Sequence, residues 1–308
     1  MTKILCAGLI AGLTMIANCA AFPQEAAQAT DCDRRCLYEL AGTFMDNMVE
    51  NYTEGVPFAD DVRITENGAD IAVGEGIWEN SLAWSTRHTF VDAEQGGIGA
   101  FGVIRNDDET STIVGLRMKV EDREFTEVET LTIAEGSFPL FRPDGVEARP
   151  LYYNYVPEEK RSTREELIAI ADGYFNGLAT GDPSALSFHP DCNRLENGFQ
   201  TTRNPPLTHR SCADLYPFSY MHSYRAPDFP VIDTEKGLVL GVTAFDMPEQ
   251  DRTVMIRGEE FHITSEGRRL PRTLFLYELF KVEDGQIMII DAVLANFEYG
   301  TEMGWNGR

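Results

Sequence analysis

The sequence has no Gly-x-Ser-x-Gly, no Walker loop, no dinucleotide fingerprint and no His-Glu-x-x-His, so triad hydrolysis, nucleotide chemistry and zincin chemistry have no support. Histidine is scarce, with five in 308 residues and no metal-ligand spacing among them, and neither a metal nor a cofactor is expected. Positive charge is short as well. Only 26 Lys and Arg stand against 50 Asp and Glu, and the resulting net charge of -24 repels phosphate backbones and anionic lipid. No nucleic-acid or membrane-surface partner is therefore expected. The one apolar run outside strand-like segments, residues 4–16, follows Lys3 and leads into small residues up to Ala29. That is the layout of an export signal over residues 1–29, with Cys19-Ala20-Ala21 or Ala27-Gln28-Ala29 at the cleavage site. The run is too short for a bilayer span, so a removed signal and a secreted or periplasmic chain are expected rather than a membrane helix.

What is present is a repeat. Glu66-Asn67-Gly68 returns as Glu196-Asn197-Gly198 at an offset of 130 residues, each time after an amphipathic helix. Leu37, Leu40, Phe44 and Met48 mark the apolar face of the first helix. Leu167, Ala171, Tyr174 and Leu178 mark that of the second, which opens on Ser162 and Glu165 at capping-box spacing. Asp92-Ala93-Glu94-Gln95-Gly96 returns as Asp233-Thr234-Glu235-Lys236-Gly237 at an offset of 141, and Lys119-Val120-Glu121-Asp122 as Lys281-Val282-Glu283-Asp284 at 162. The growing offset locates two insertions in the second copy, at 199–232 and 246–273, which hold His209, His222 and His262. After each Glu-Asn-Gly come strand-like segments: 87–92, 97–105, 111–120 and 125–133, then 237–245, 273–282 and 286–297. Helices first and an antiparallel meander after them predict an α+β fold, written twice, in which a curved sheet wraps the helices. The polar, turn-rich stretch 142–161 separates a first domain (31–141) from a second (162–308).

Cys6 and Cys19 fall in the signal, leaving Cys32, Cys36, Cys192 and Cys212, which in an exported chain read as two disulfides with three possible connectivities. Pairing Cys32 with Cys36 and Cys192 with Cys212 keeps each bridge inside one copy. Side chains at i and i+4 of a regular helix are too far apart for the bond, so Cys32 is expected just ahead of the helix.

The opening helix, Ala59-Asp60-Asp61-Val62, the Gly74-Glu75-Gly76-Ile77-Trp78 segment and the strands ending in Lys-Val-Glu-Asp resemble the SnoaL-like branch of the NTF2-like superfamily. The whole of 31–308 resembles secreted bacterial and fungal proteins with two such domains, including the Cys-Asp-Arg-x-Cys start and Gly304-Trp305 near the end. The resemblance implies two cone-shaped α+β barrels packed as an internal pseudo-dimer, with side chains of the last strand reaching the pocket. It carries over no reaction, because the superfamily holds isomerases, cyclases, dehydratases and lyases alongside domains that only bind or dimerise.

Asp291 is the leading candidate, a carboxylate inside Ile289-Ile290-Asp291-Ala292-Val293, where it must be paired, protonated or facing a cavity. Its counterpart in the first copy is Glu129. Asn-Gly is a turn former, whereas Glu66 and Glu196 are less easily explained by a turn and are candidates for a pocket mouth together with Asn197. Trp78, Trp84 and His88 in one copy, and Tyr216, Phe218, Tyr220, His222 and Tyr224 in the other, are either core packing or a stacking wall. Alternation would place Phe218, Tyr220 and His222 on one strand face. The expectation is a cofactor-independent acid/base enzyme acting on a small, partly apolar molecule in the second domain. Asp291 would be its base, Tyr220 and His222 would orient or protonate the substrate, and Glu196, Asn197, Tyr224, Trp78 and Glu66 would contact ligand. The alternative is a non-catalytic module that binds a small ligand or a partner.

Overall fold

A computed structural model describes residues 31–203, 211–225, 227–256, 258–264 and 270–304, so the expected signal at 1–29 lies outside the described residues. The first half runs α1 (Arg34–Val49), β1 (Phe58–Glu66), β2 (Ala69–Asp70), α2 (Ile77–Asn80), β3 (Ser81–Asp92), β4 (Gly97–Asn106), β5 (Ser111–Glu121) and β6 (Glu124–Ala134). After α3 (Pro150–Tyr153), the second half runs α4 (Arg164–Thr180), β7 (Phe188–Glu196), β8 (Phe199–Gln200), β9 (Ser223–Tyr224), β10 (Asp228–Asp233) and β11 (Leu238–Met247). It closes with β12 (Arg252–Ile256), β13 (Glu259–Ile263), β14 (Arg272–Glu283) and β15 (Gln286–Phe297). The sheet orders β2-β1-β6-β5-β4-β3 and β10-β11-β14-β15-β7-β8 are the same path. In each, one parallel pair, β1 with β6 and β7 with β15, joins the strand after the helix to the last strand. The second insertion forms the separate β12–β13 hairpin.

The helix starts follow local chemistry. Asp33 caps α1 by accepting from the Cys36 amide, and Cys32 sits just ahead of it, bonded to Cys36. At α4 the capping box is Thr163 with Glu166, one residue later than the expected Ser162 and Glu165. The Thr163 hydroxyl accepts from the Glu166 amide while the Glu166 carboxylate accepts from the Thr163 amide, and Ser162 takes no part. Cys192 is bonded to Cys212.

Each Glu-Asn-Gly is a two-residue hairpin turn with both central residues at positive φ: Asn67 53° and Gly68 85°, Asn197 47° and Gly198 76°. The asparagine side chain also ties the turn to the last strand. Asn197 Oδ1 accepts from the Leu294 amide and its Nδ2 donates to the Leu294 carbonyl, while Asn67 Oδ1 accepts from the Thr132 amide and its Nδ2 donates to the Thr132 hydroxyl. Gly68 lies beneath the Glu302 carbonyl and Gly198 beneath that of Arg142, so no side chain fits at either position. The chain that leaves each half thus crosses the turn of the other.

Both sheets are buried on two faces. In the second, Leu274, Leu276 and Phe280 of β14 face α4, while Phe275, Tyr277 and Leu279 face the first sheet. The first sheet answers with Phe101, Val103, Ile113 and Leu131, and Gly115 lets the sheets close on Tyr277 and Val293. The ends of this contact are locked reciprocally. Arg164 at the start of α4 donates to buried Asp92 of the first half at 2.5 Å, and Arg34 at the start of α1 donates to buried Asp233 of the second. The halves thus exchange equivalent contacts, each opening helix pairing with a buried aspartate of the other half. The stretch 142–161 is packed rather than free. Val146, Tyr152 and Val156 are buried, while Tyr153 and Tyr155 are exposed.

Candidate functional site

The helix-covered face of each sheet is where the two halves diverge. In the first half, Phe44 from α1 meets Trp78 at 5.4 Å and Phe125 at 5.4 Å, and Phe58 completes the group. Trp78 is therefore packed in the core and not placed to stack on a ligand. In the second half the same face encloses a cavity of about 50 Å³, room for a few waters or a small organic molecule. Tyr174 and Leu178 of α4, Arg194 and Glu196 of β7, and Leu276 and Glu278 of β14 line it. Phe218, Tyr220 and Met221 of the first insertion and Phe138, from beyond the end of the first sheet, close it over.

Three of the polar residues occupy positions that are apolar in the first copy. Tyr174 corresponds to Phe44 and Arg194 to Ile64 at the 130-residue offset, and Glu278 to Leu116 at the 162-residue offset. Strand register confirms the last two. Arg194 pairs with Ile290 as Ile64 does with Val128, and Glu278 pairs with Ala292 as Leu116 does with Thr130. Three substitutions, scattered through 105 residues of sequence, converge on one cavity.

Their geometry is that of a buried charged group left partly open. The Arg194 side chain pairs through Nε with Glu196 at 3.3 Å, donates to Thr201 Oγ1 at 3.2 Å and to the Tyr174 hydroxyl at 3.4 Å, and lies 4.5 Å over the Phe218 ring. Its Nη2 is buried without a partner. Glu278 is 2% exposed, and its Oε2 likewise accepts from no described residue. Burial holds the Glu278 carboxyl well above the usual carboxylate range, with Arg194 opposing and Glu196 reinforcing the shift. Burial also raises Glu196, against the pull of Arg194 and Thr201. An unpaired buried polar atom costs about 1–3 kcal/mol, so two in one cavity need water or a ligand to complete them.

Asp291 is not in this cavity. Alternation along β15 turns Ile290, Ala292 and Leu294 toward α4 and Ile289, Asp291 and Val293 toward the other sheet. There the Tyr152 hydroxyl donates to Asp291 Oδ2 at 2.8 Å, and burial pushes the carboxyl up to about 6 while that bond and Arg149 oppose it. His88 stacks on Tyr152 at 5.3 Å with both ring nitrogens buried and unpartnered, and burial pushes its imidazole down to about 4. The first-half counterpart, Glu129, is closed by a 2.7 Å ion pair with Arg117.

The sequence profile of a family described as a domain of unknown function (DUF8021) matches residues 30–132 and 160–294. The chain belongs to this family. Among curated proteins none matches it. The two DUF8021 stretches coincide with the two copies of the repeat and omit most of the packed connection between them.

Within this DUF8021 chain the structure separates most of the residues that sequence reasoning grouped. Tyr220 and Glu196 line the cavity, but no strand runs from Phe218 to His222. A 3-10 turn at Tyr216–Phe218 takes its place, so the expected shared strand face does not exist, and His222 instead lies 3.4 Å from the Gln250 carbonyl. Tyr224 donates to Asp172 at 3.0 Å and packs on Phe175 and Phe245 beneath α4. Glu66 accepts from the Ile77 amide at 2.8 Å, holding the start of α2, and Asn197 is the turn clamp described above. Among the described residues no cluster of His, Cys, Asp or Glu could hold a metal, and no helix is long and apolar enough to cross a membrane. Sequence reasoning missed Tyr174, Arg194 and Glu278 as site residues, although aligning the two copies position by position would have exposed them.

Proposed function

We propose that the second half is a cofactor-independent acid/base site for a small, partly apolar molecule, and that the first half is its structural partner. Each half is inferred to be an NTF2-like unit, 31–141 and 162–308 joined by 142–161, forming an internal pseudo-dimer in an exported protein. One observation carries the functional reading: a second-copy acid, guanidinium and phenol replace Leu116, Ile64 and Phe44 and meet at a cavity, on the helix-covered face that in the first half is packed with Phe44, Phe58, Trp78 and Phe125. A carboxyl whose pKa burial raises from the usual carboxylate range toward neutral pH is suited to both taking and giving a proton. In this reading the ionised form of Glu278 takes the C–H proton and the resulting acid returns it, while Arg194 Nη2, with the Tyr174 hydroxyl beside it, stabilises the oxygen on which negative charge develops. Glu196 fixes Arg194, and Tyr220 borders the bound molecule. Asp291, on the opposite face, has no part in the chemistry.

The reaction class is testable without a known product. In D2O the protein is expected to catalyse hydrogen–deuterium exchange at the acidic C–H of a small ketone or carbonyl acid, followed by proton NMR. Glu278→Gln is expected to lower the rate by about 10²–10⁴-fold, the range for a positioned acid or base, and Asp291→Asn to leave it nearly unchanged. Equal rates for wild type and Glu278→Gln would refute the assignment.

A further inference from the structure

Three buried polar atoms around this cavity lack partners: Arg194 Nη2, Glu278 Oε2 and also Arg272 Nε at the start of β14. Two of the three are guanidinium donors. The charge on Arg194 is already matched by Glu196, whereas Arg272 makes no ion pair with any described residue. Glu278 does not supply the missing anion: it makes no ion pair with any described residue and its Oε2 has no partner, and burial disfavours its ionised form. The site is therefore short of one negative charge and of acceptors for two planar donors. A carboxylate supplies both, since its two oxygens match guanidinium N–H groups and it carries a single charge. Much of the remaining wall is hydrocarbon, with Leu178, Leu274, Leu276, Leu294 and Met221. A volume of about 50 Å³ limits what can lie against it to a short tail. An amine of the same size would meet an unpaired guanidinium, and an alcohol would leave the charge unmatched.

We propose that the second-half cavity selects a small aliphatic monocarboxylate, its carboxylate held by Arg272 and Arg194 and its hydrocarbon tail against the leucine wall. The proposal rests on the reading of this cavity as the functional site and names the chemical class it takes.

The test uses the full chain labelled with carbon-13 at methionine methyls, with Met221 as reporter, titrated with butyrate, butan-1-ol and butylamine. Butyrate is expected to shift the Met221 signal saturably, while the alcohol and the amine do not at the same concentrations. Arg272→Gln is expected to weaken butyrate at least 10-fold, and Arg272→Lys, which restores the charge, to recover part of that loss. A substitution that only disturbed packing would not distinguish the two. If butan-1-ol saturates as readily as butyrate, or if Arg272→Gln binds butyrate like wild type, the carboxylate assignment is overturned. If no probe shifts Met221 while deuterium exchange still depends on Glu278, the substrate class falls and the acid/base reading stands; if exchange is independent of Glu278 as well, both fall.

Discussion

Replacing the polar group of the cavity, by Tyr174→Phe, Arg194→Ile and Glu278→Leu together with Glu196→Gln so that no carboxylate loses its guanidinium, is expected to make the protein more stable. The argument runs through the unpaired atoms. Arg194 is 1% exposed and Glu278 2%, and each holds one buried polar atom without a partner. Exchanging a buried charged group for hydrocarbon of similar size is commonly neutral or stabilising by about 1–4 kcal/mol, and Leu at 278 has a cavity of about 50 Å³ to expand into. Arg194→Ile alone should do the opposite. It strands Glu196 and Glu278 in the interior, and losing one member of such a group costs about 3–5 kcal/mol. Urea unfolding with unchanged slope would read both effects, and calorimetry should show a midpoint shift of about 2–4 °C per kcal/mol. The contrast matters because groups retained at a cost to stability are those a site needs. If this combined variant is less stable than wild type by more than about 1 kcal/mol, the polar group supports the fold and the reasoning fails.

The interface pair Asp291 and His88 should shape the pH dependence of stability in opposite directions. His88 is held near 4 against about 6.5 unfolded, so its contribution is lost as pH falls from about 6.5 to 4; Asp291 is held near 6 against about 3.8, so its penalty at neutral pH is relieved over about 6 to 4. Asp291→Asn is thus expected to raise stability at pH 7 by up to about 3 kcal/mol and to steepen the loss on acidification, measured by urea unfolding from pH 4 to 7; an unchanged pH slope would contradict it. The Cys192–Cys212 bridge closes the segment that leads to Phe218 and Met221 over the cavity. Replacing both with Ser should cost about 3 kcal/mol and weaken ligand binding in the Met221 titration, whereas the Cys32 and Cys36 pair replaced the same way should leave binding alone. Asp92→Asn should lower stability by about 1–3 kcal/mol, because it leaves Arg164 only the exposed carboxylate of Glu94 at 3.6 Å, and thermal unfolding would show it.

The duplication, the disulfides and the Asn-Gly turns were legible because each is a local signal: a repeated tripeptide, an even cysteine count and residues that tolerate positive φ. The sheet faces were not. β14 and β15 are buried on both sides, so Leu-Phe-Leu-Tyr-Glu-Leu-Phe and Ile-Ile-Asp-Ala-Val read as continuous apolar runs with no polar alternation to assign a face. Asp291 and Glu278 look alike in such runs, yet one meets Tyr152 at the interface and the other the cavity. The insertion at 199–232 misled for a different reason. Its aromatics suggest a strand, but Pro217 and the disulfide at Cys212 favour a compact turn.

The protonation of Glu278 tests the central claim most directly. In protein carrying carbon-13 at glutamate carboxyls, with Glu278→Gln to assign the signal, the pH titration should place its midpoint well above the ordinary glutamate value of about 4.3, and binding of a small carboxylate should move it further. A midpoint at the ordinary value, unmoved by any ligand that fills the cavity, would show that Glu278 is solvated and ionised, and would contradict the account.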